Sequence, residues 1–414
     1  MENYVVIIFI LAIMIGLSAL ADKIRIPYPV LLITGGIAMG YIPVLPHVEI
    51  EPDIIFLIFL PPLLYDAAFN ISFRLFRTNI HTISTLAIGL VFLTTAAIAV
   101  FARYVIPGMN WPLAFVLGAI LSATDAVAAI SATKGLGLSH KTTTILEGES
   151  LVNDASALVA YRFAVSAAGG TAFVFWKAGL SFLVTLAGGF LVGIVMGKLL
   201  GLLLKRVKDN NMVSISFMML MPFVTYLVAE ELHVSGVIAV VILGLGISRF
   251  SRKIFPEHLK KESKAIWDII IFLLNGLIFL LIGLQFPYIV ATIPRGQLLI
   301  FTGYAFIITV IALLVRMARV FMQRMNLNKA FKENKFRHPI QQQSLLDFSS
   351  SLIISWSGMR GIVSLATALA LAPDFPQRST IVFIAVAVVL FTIVGQGLTL
   401  PWIVKKMNKK NLTL

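Results

Sequence analysis

Asp125 and Asp154 each sit deep inside a long apolar run, Asp125 about 14 residues into 111–133 and Asp154 about 12 residues into 142–166. If those runs are helices crossing a bilayer, a rise of about 1.5 Å per residue puts both carboxylates near the midplane. A charge there costs at least about 2.5–3.5 kcal/mol on insertion scales, so each acid must face a partner or a water-filled cavity. The second acid stands in the run Glu147-Gly-Glu149-Ser150-Leu-Val-Asn153-Asp154. Positions four apart share a helix face, so Ser150 stacks with Asp154 and Glu149 with Asn153. Ser150 and Asp154 then offer oxygens to a cavity, with Glu149 and Asn153 as an adjoining polar stripe. Hard cations such as sodium take oxygen ligands, and no cysteine or histidine cluster competes for such a site. Thr124, beside Asp125, can add its hydroxyl or, where the helix unwinds, its backbone carbonyl.

Arg360 is the charge in the middle of the run 345–371, and its guanidinium needs a carboxylate or helix-end carbonyls. Glu149 is the unassigned acid at matching depth, so a Glu149–Arg360 pair that positions Asn153 is the expected support. Asp66 follows Pro61-Pro62. It could guide cations along a cytoplasmic funnel or stand as a solvated helix end.

The elements that hold these residues follow from composition. The chain has 414 residues, 59% hydrophobic and 13% charged, against about 25% charged in soluble domains. Mean hydropathy is +0.95. A soluble globular protein is therefore excluded. With no cysteine, disulfide frameworks, thiol catalysis and cysteine-ligated metals are excluded together. Neither a dinucleotide fingerprint nor a phosphate-binding Gly-x-x-x-x-Gly-Lys-[Ser/Thr] loop is present, so ATP drive is not suggested. The excess of 33 Lys+Arg over 19 Asp+Glu gives +14. These basic residues sit in short loops, so they argue orientation rather than nucleic-acid binding.

Apolar runs fall at 4–20, 28–45, 53–70, 79–105, 111–133, 142–166, 177–204, 212–230, 234–250, 265–286, 297–323, 345–371 and 379–404, which makes 13 candidate spans. The first reads as a retained helix rather than a removed signal peptide. The third is expected to break at Pro61-Pro62. Basic residues gather in alternate connections. Examples are Lys23 and Arg25, Arg74 and Arg77, Lys134 and Lys141, then Lys205, Arg206 and Lys208, and Arg324, Lys329, Lys332, Lys335 and Arg337. The positive-inside rule then puts the N-terminus outside and the C-terminus, with a short basic tail over 405–414, in the cytoplasm. An odd number of spans is what this requires.

The fold class expected is an all-α polytopic membrane protein with one integral domain over 1–404. Spans 1–6 and 8–13 would be inverted six-helix repeats joined by span 7. Polar interruptions stand at matching places, Ser122-Ala-Thr124-Asp125 in span 5 and Ser355-Trp-Ser357-Gly358-Met-Arg360-Gly361 in span 12. Matched broken helices are the pointer to a transporter's midplane site. Gly189, Gly193, Gly197 and Gly201 on span 7 read as a helix-packing stripe. Glu230, Glu231 and His233 read as a solvated turn, and the six histidines lack metal-ligand spacing.

Taken in order, Phe59-Leu-Pro61-Pro62-Leu-Leu-Tyr65-Asp66, Ser122-Ala-Thr124-Asp125, Glu147-Gly-Glu149-Ser150-Leu-Val-Asn153-Asp154, Ala229-Glu230-Glu231-Leu-His233-Val-Ser235-Gly236 and Gly358-Met-Arg360-Gly361 resemble the monovalent cation:proton antiporter superfamily. The asparagine–aspartate pair resembles its sodium/proton exchanger branch, which includes bacterial NhaP-type proteins. The resemblance implies a homodimer with a core of 79–166 and 297–404 and a dimerisation side of 1–70 and 177–286. It implies cation ligation by Asp154, Ser150 and the Thr124 region, with Asp125 close by, and Glu149 and Arg360 stabilising Asn153. Asn153, where electrogenic branches tend to carry lysine, implies electroneutral one-for-one exchange. The animal exchangers carry a long regulatory tail; the chain's end soon after Lys410 suggests a prokaryotic plasma membrane.

The activity these residues lead one to expect is exchange of Na+, or another monovalent cation, for H+, which would serve pH homeostasis with no cofactor and no enzymatic step. Burial favours a carboxyl's protonated form and a bound cation its ionised form, so the two ions compete at Asp154. Asp125 would titrate with it as a pair. The alternative is a cation channel or uniporter using the same acids, although no repeated filter sequence is seen. A symporter for an organic anion would want a second basic group beside Arg360.

Overall fold

The computed structural model describes residues 2–24, 26–42, 52–169, 175–207, 210–333 and 345–412, and among them there is helix but no strand. Four of the loop cations, Arg25, Lys208, Lys335 and Arg337, lie outside the described residues, as does the end of the basic tail.

Helix α1 spans Glu2–Ile24, α2 Tyr28–Gly40, α3 Pro52–Asn70 and α4 Phe73–Thr78. Then α5 (Ile80–Ser84) passes through a π-helical turn, Thr85–Leu90, into α6 (Val91–Val105). The run 111–133 is split into α7 (Trp111–Ile120) and α8 (Ala126–Ala132). It is followed by α9 (His140–Ala168), α10 (Phe175–Arg206), α11 (Asn211–Glu231), α12 (Gly236–Ile254), α13 (Glu257–Ala291) and α14 (Leu298–Lys332). The run 345–371 is split likewise, into α15 (Phe348–Trp356) and α16 (Ile362–Leu369). Last, α17 (Arg378–Phe391) passes through a second π-helical turn, Thr392–Gln396, into α18 (Gly397–Leu412).

Among the described residues the apolar runs thus fall on helix, with the two interruptions in 111–133 and 345–371. Six stretches among the described residues are long and apolar enough to cross a membrane by themselves: Ile80–Val105, Leu183–Arg206, Asn211–Glu231, Glu257–Ala291, Leu298–Lys332 and Arg378–Asn408. Polar caps set where helices begin. Asn110 Oδ1 accepts from the Leu113 N–H at 3.0 Å ahead of α7, and Ser139 Oγ from the Thr142 N–H at 3.1 Å ahead of α9. One expectation is corrected. Pro61 and Pro62 do not break their span; α3 continues through both, and they are buried. Surrounding protein can satisfy the carbonyls that prolines free, which lets a buried helix carry them.

The chain forms two compact units. One holds Met1–Glu49, Leu75–Gly169 and Asn275–Leu414; the other holds Ile50–Arg74 and Gly170–Leu274. The first therefore gathers 79–166 and 297–404 together with the opening helices. Its interior includes a cluster of Leu86, Leu90, Ile145, Leu146, Val320 and Ile354, which packs α9 against the first π-helical turn, α14 and α15. A smaller cluster of Val91, Ala123 and Ala157 lies beside the interruption of 111–133. In the second unit α10 and α12 run parallel, with Gly189 against Ser235 and Gly193 against Ala239. A Cβ at either glycine would come within 2.6 Å of a backbone carbonyl, so both serve close packing.

Candidate functional site

The first unit brings its two interrupted helices together. Between α7 and α8, residues 121–125 leave the helix, and Asp125 becomes the N-cap of α8. Its Oδ1 accepts from the N–H groups of Val127 at 2.8 Å and Ala128 at 3.4 Å, the donors a helix start leaves free. Between α15 and α16, the stretch Ser357–Gly361 also leaves the helix. The two breaks are joined directly: the Asp125 N–H donates to the Met359 carbonyl at 2.7 Å. Arg360, 2% exposed, donates from one guanidinium nitrogen to the carbonyls of Ser122 at 2.6 Å and Ala123 at 2.9 Å. Its own N–H donates to Thr392 Oγ1 at 3.1 Å, in the second π-helical turn. Such turns occur often at functional sites.

The two glycines of Gly358-Met-Arg360-Gly361 have separate reasons. A Cβ at Gly361 would run into the carboxylate of Asp125, and one at Gly358 would stand 2.5 Å from Cδ of Arg316. Each makes room for a charged side chain from elsewhere in the chain, Asp125 in the break at 121–125 and Arg316 on α14.

Helix α9 supplies the second acid and its polar neighbours. Ser150 Oγ donates to the Thr124 carbonyl at 3.1 Å and accepts from the Ala126 N–H at 3.4 Å. Asn153 donates from Nδ2 to Thr124 Oγ1 at 2.6 Å, and that hydroxyl donates to Glu149 at 3.3 Å. Thr124 therefore ties Glu149, Ser150 and Asn153 to the break in 111–133. Asp154 lies one position beyond Asn153, part-exposed, and its carboxylate interacts electrostatically with that of Asp125. Asp125 is part-exposed as a residue, yet its Oδ2, like Oδ1 of Asn153, is buried and meets no donor among the described residues. These are acceptor oxygens without protons to accept, the chemistry a desolvated cation needs.

The expected Glu149–Arg360 ion pair is not formed. Glu149 pairs with Arg316 of α14, Oε2 accepting at 2.9 Å and Oε1 accepting from the other terminal nitrogen. Arg316 also donates from Nε to the Ile354 carbonyl at 3.0 Å, and both charged groups are buried. Arg360 takes the other partner open to it, the helix-end carbonyls. The planar fork of arginine suits both arrangements. Asp66 stands in the second unit, where Oδ1 accepts from Asn70 at 2.8 Å and Lys264 and Asp268 act on it electrostatically. Glu230 also lies there, accepting from the Gly236 N–H at 3.4 Å across the turn that leads into α12.

The family model described as "Sodium/hydrogen exchanger, transmembrane" matches residues 7–406. The chain belongs to that family. A Mycobacterium tuberculosis protein named as an uncharacterized Na(+)/H(+) exchanger is 34% identical over 410 residues, covering 97% of this chain and 74% of its own length. The Na(+)/H(+) antiporter ApNhaP of Aphanothece halophytica is 32% identical over 98% of this chain and 75% of its own length. The structure of the sodium proton antiporter MjNhaP1 from Methanocaldococcus jannaschii at pH 8 superposes with a TM-score of 0.70. It shares 20% identity and covers 98% of this chain and 99% of the other, which shows a common fold. This exchanger is thus a multi-pass membrane protein of an antiporter family.

Sequence reasoning missed two side chains of this candidate site. Arg316 stands well inside the run 297–323, where an arginine is as costly as Arg360 in its own run, and that cost was the available signal. Thr392, in a stretch otherwise read as apolar, gave none. The glycines at 358 and 361 were visible as a motif, but nothing in the sequence names the atoms they make way for.

Proposed function

We propose that this exchanger moves Na+, or another monovalent cation, against H+ across a plasma membrane, one for one, through competition at the Asp154 carboxylate. In one direction the carboxyl gives up its proton and takes the cation; in the other it releases the cation and is reprotonated. Ser150 and the Thr124 region complete the ligand set, and Asp125 shares the titration. Arg360, Glu149 and Arg316 are positioning residues. The observation that carries this reading is the distribution of hydrogen-bond partners at the crossing. The carbonyls of Ser122, Ala123 and Thr124 and the carboxylate of Glu149 all have donors. The surplus acceptor capacity lies on Asp125, Asn153 and the part-exposed Asp154.

Carrying an empty, ionised site through a low-dielectric barrier is penalised by desolvation, which suppresses leak and enforces exchange. Asn153 adds no charge beside Asp154, in keeping with electroneutral stoichiometry. We further propose 13 spans as two inverted repeats, with the N-terminus outside and the C-terminus cytoplasmic. The assembly is a homodimer in which a core built on 79–166 and 297–404 moves past a dimerisation side, and Asp66 serves the cytoplasmic approach. The test is Asp154→Asn in proteoliposomes, with folding checked by size-exclusion profile. Proton efflux driven by sodium should vanish. Efflux at the unaltered protein's rate would refute the assignment. Titrating flux with sodium, potassium and lithium identifies the cation.

A further inference from the structure

In the second unit the parallel pair α10 and α12 changes character along its length. At Gly189 and Gly193 the two backbones nearly touch, with no room for a methyl group. Toward the C-terminal ends that contact opens. A Cβ at Gly197 would find its nearest neighbour at 3.9 Å, one at Gly201 at 3.5 Å, and one at Gly246 nothing within 4 Å. Gly197 and Gly246 are therefore not needed for helix packing; their missing side chains leave a trough. The cavity measures about 690 Å³ and is walled by Phe190, Ile194, Leu202, Ile242, Leu245 and Phe250. From Gly193 to Lys205 it follows about 18 Å of helix at 1.5 Å per residue, close to the roughly 15 Å depth of one leaflet's hydrocarbon.

Because the helices are parallel, their C-terminal ends bring two exposed cations, Lys205 and Arg249, to the same end of this apolar trough, while the exposed Lys198 stands about 10 Å earlier along α10. Lys205 lies over the Phe250 ring at 5.8 Å. Among the described residues nothing acidic lines the cavity. We propose that the α10–α12 trough is a binding site for an anionic phospholipid, its acyl chain laid over Gly197 and Gly246 and its phosphate held at the trough's end by Lys205 and Arg249. Grease along most of the length with cations at one end is the complement of such a lipid and of few other ligands.

The experiment uses the full chain in detergent, with native mass spectrometry and thermal unfolding in added phosphatidylglycerol, phosphatidylcholine of the same chains, or glycerol phosphate alone. Phosphatidylglycerol should stay bound as adducts and raise the melting temperature by several degrees, while the other two additions do not. The gain should fall to the phosphatidylcholine level in Lys205→Gln/Arg249→Gln and in Gly197→Leu/Gly246→Leu. Three results would overturn the site: phosphatidylcholine matching phosphatidylglycerol, glycerol phosphate sufficing, or full protection of the leucine variant. So would a leucine variant that changes the oligomer's mass yet keeps its lipid adducts, since the trough would then seat a second copy. The glutamine variant alters exposed side chains only, so the proposal stays testable if the leucine variant folds poorly.

Discussion

The interruption at 121–125 presents three carbonyls and a carboxylate, whereas the interruption at 357–361 presents a guanidinium, one carbonyl and two glycines. Each break has its own arginine. Arg360 closes the carbonyls of Ser122 and Ala123 without bonding any carboxylate, while Arg316 closes the Ile354 carbonyl and also pairs with Glu149. One break is acceptor-rich and is neutralised from outside; the other carries its donor into the first. What this teaches is that two helices broken at matching places need not be chemically alike. Unpartnered buried oxygens remain on Asp125 and Asn153, beside the part-exposed Asp154, and these are what a cation at the crossing would take, although Nε of Arg360 is also left without an acceptor among the described residues.

The largest expected effect tests the difference between the two arginines. Arg316→Met strands Glu149 as a buried, unpaired charge, and removing one partner of such a pair costs about 3–5 kcal/mol. The thermal midpoint in detergent should drop steeply and recover in large part when Glu149→Gln is added. Arg360→Met removes hydrogen bonds to neutral carbonyls, worth about 1.5–3 kcal/mol when the donor is charged. If Arg360→Met proves the more damaging of the two in the same unfolding assay, the contrast drawn here fails.

A middle-sized effect separates the two glycines. Gly361→Ala should cost about 1–3 kcal/mol, as overpacking does, because the new methyl meets a carboxylate fixed by its own N-cap bonds. It should also lower exchange, since Asp125 must move. Gly358→Ala meets the aliphatic part of Arg316, a longer and more flexible chain. It should cost less in stability and in proteoliposome flux. Equal losses would say that backbone conformation, not side-chain room, demands both residues.

Smallest is Thr392→Val, which removes the hydroxyl accepting from the Arg360 N–H. An unmet buried donor costs about 1–3 kcal/mol, and the lower end is expected because the stretch is otherwise tied by Met359 and the guanidinium. The loss should appear in unfolding with the apparent sodium affinity unchanged. A large affinity change would bring Thr392 into the ligand set.

Much of the site was legible because depth and helical face are local properties. The run around Asp154 gives Ser150 and Asp154 one face and Glu149 and Asn153 another, and the bonds from Ser150 and Asn153 to Thr124 converge on one residue at the break. The breaks could also be read, since a serine–threonine–aspartate cluster and a glycine pair interrupt runs that are otherwise apolar. The continuity of α3 through Pro61-Pro62 was not legible: a proline pair removes local bonds, and only the surrounding protein decides whether the helix tolerates that.

By itself the sequence determined that the chain is helical and lipid-embedded, that two carboxylates stand at the level of two helix breaks, and that the ligands on offer are oxygens. Hydrophobic content, residue spacing and the cost of buried charge suffice for that. Only the tertiary structure decided which arginine answers which group. Glu149 and Arg316 are 167 positions apart in the chain, and Arg360 and Ser122 are 238 apart. Spacing along one helix fixes the direction a side chain points. What it meets there depends on which other helix packs alongside, and that is set by the summed packing of many apolar residues, each of which says little about its neighbour.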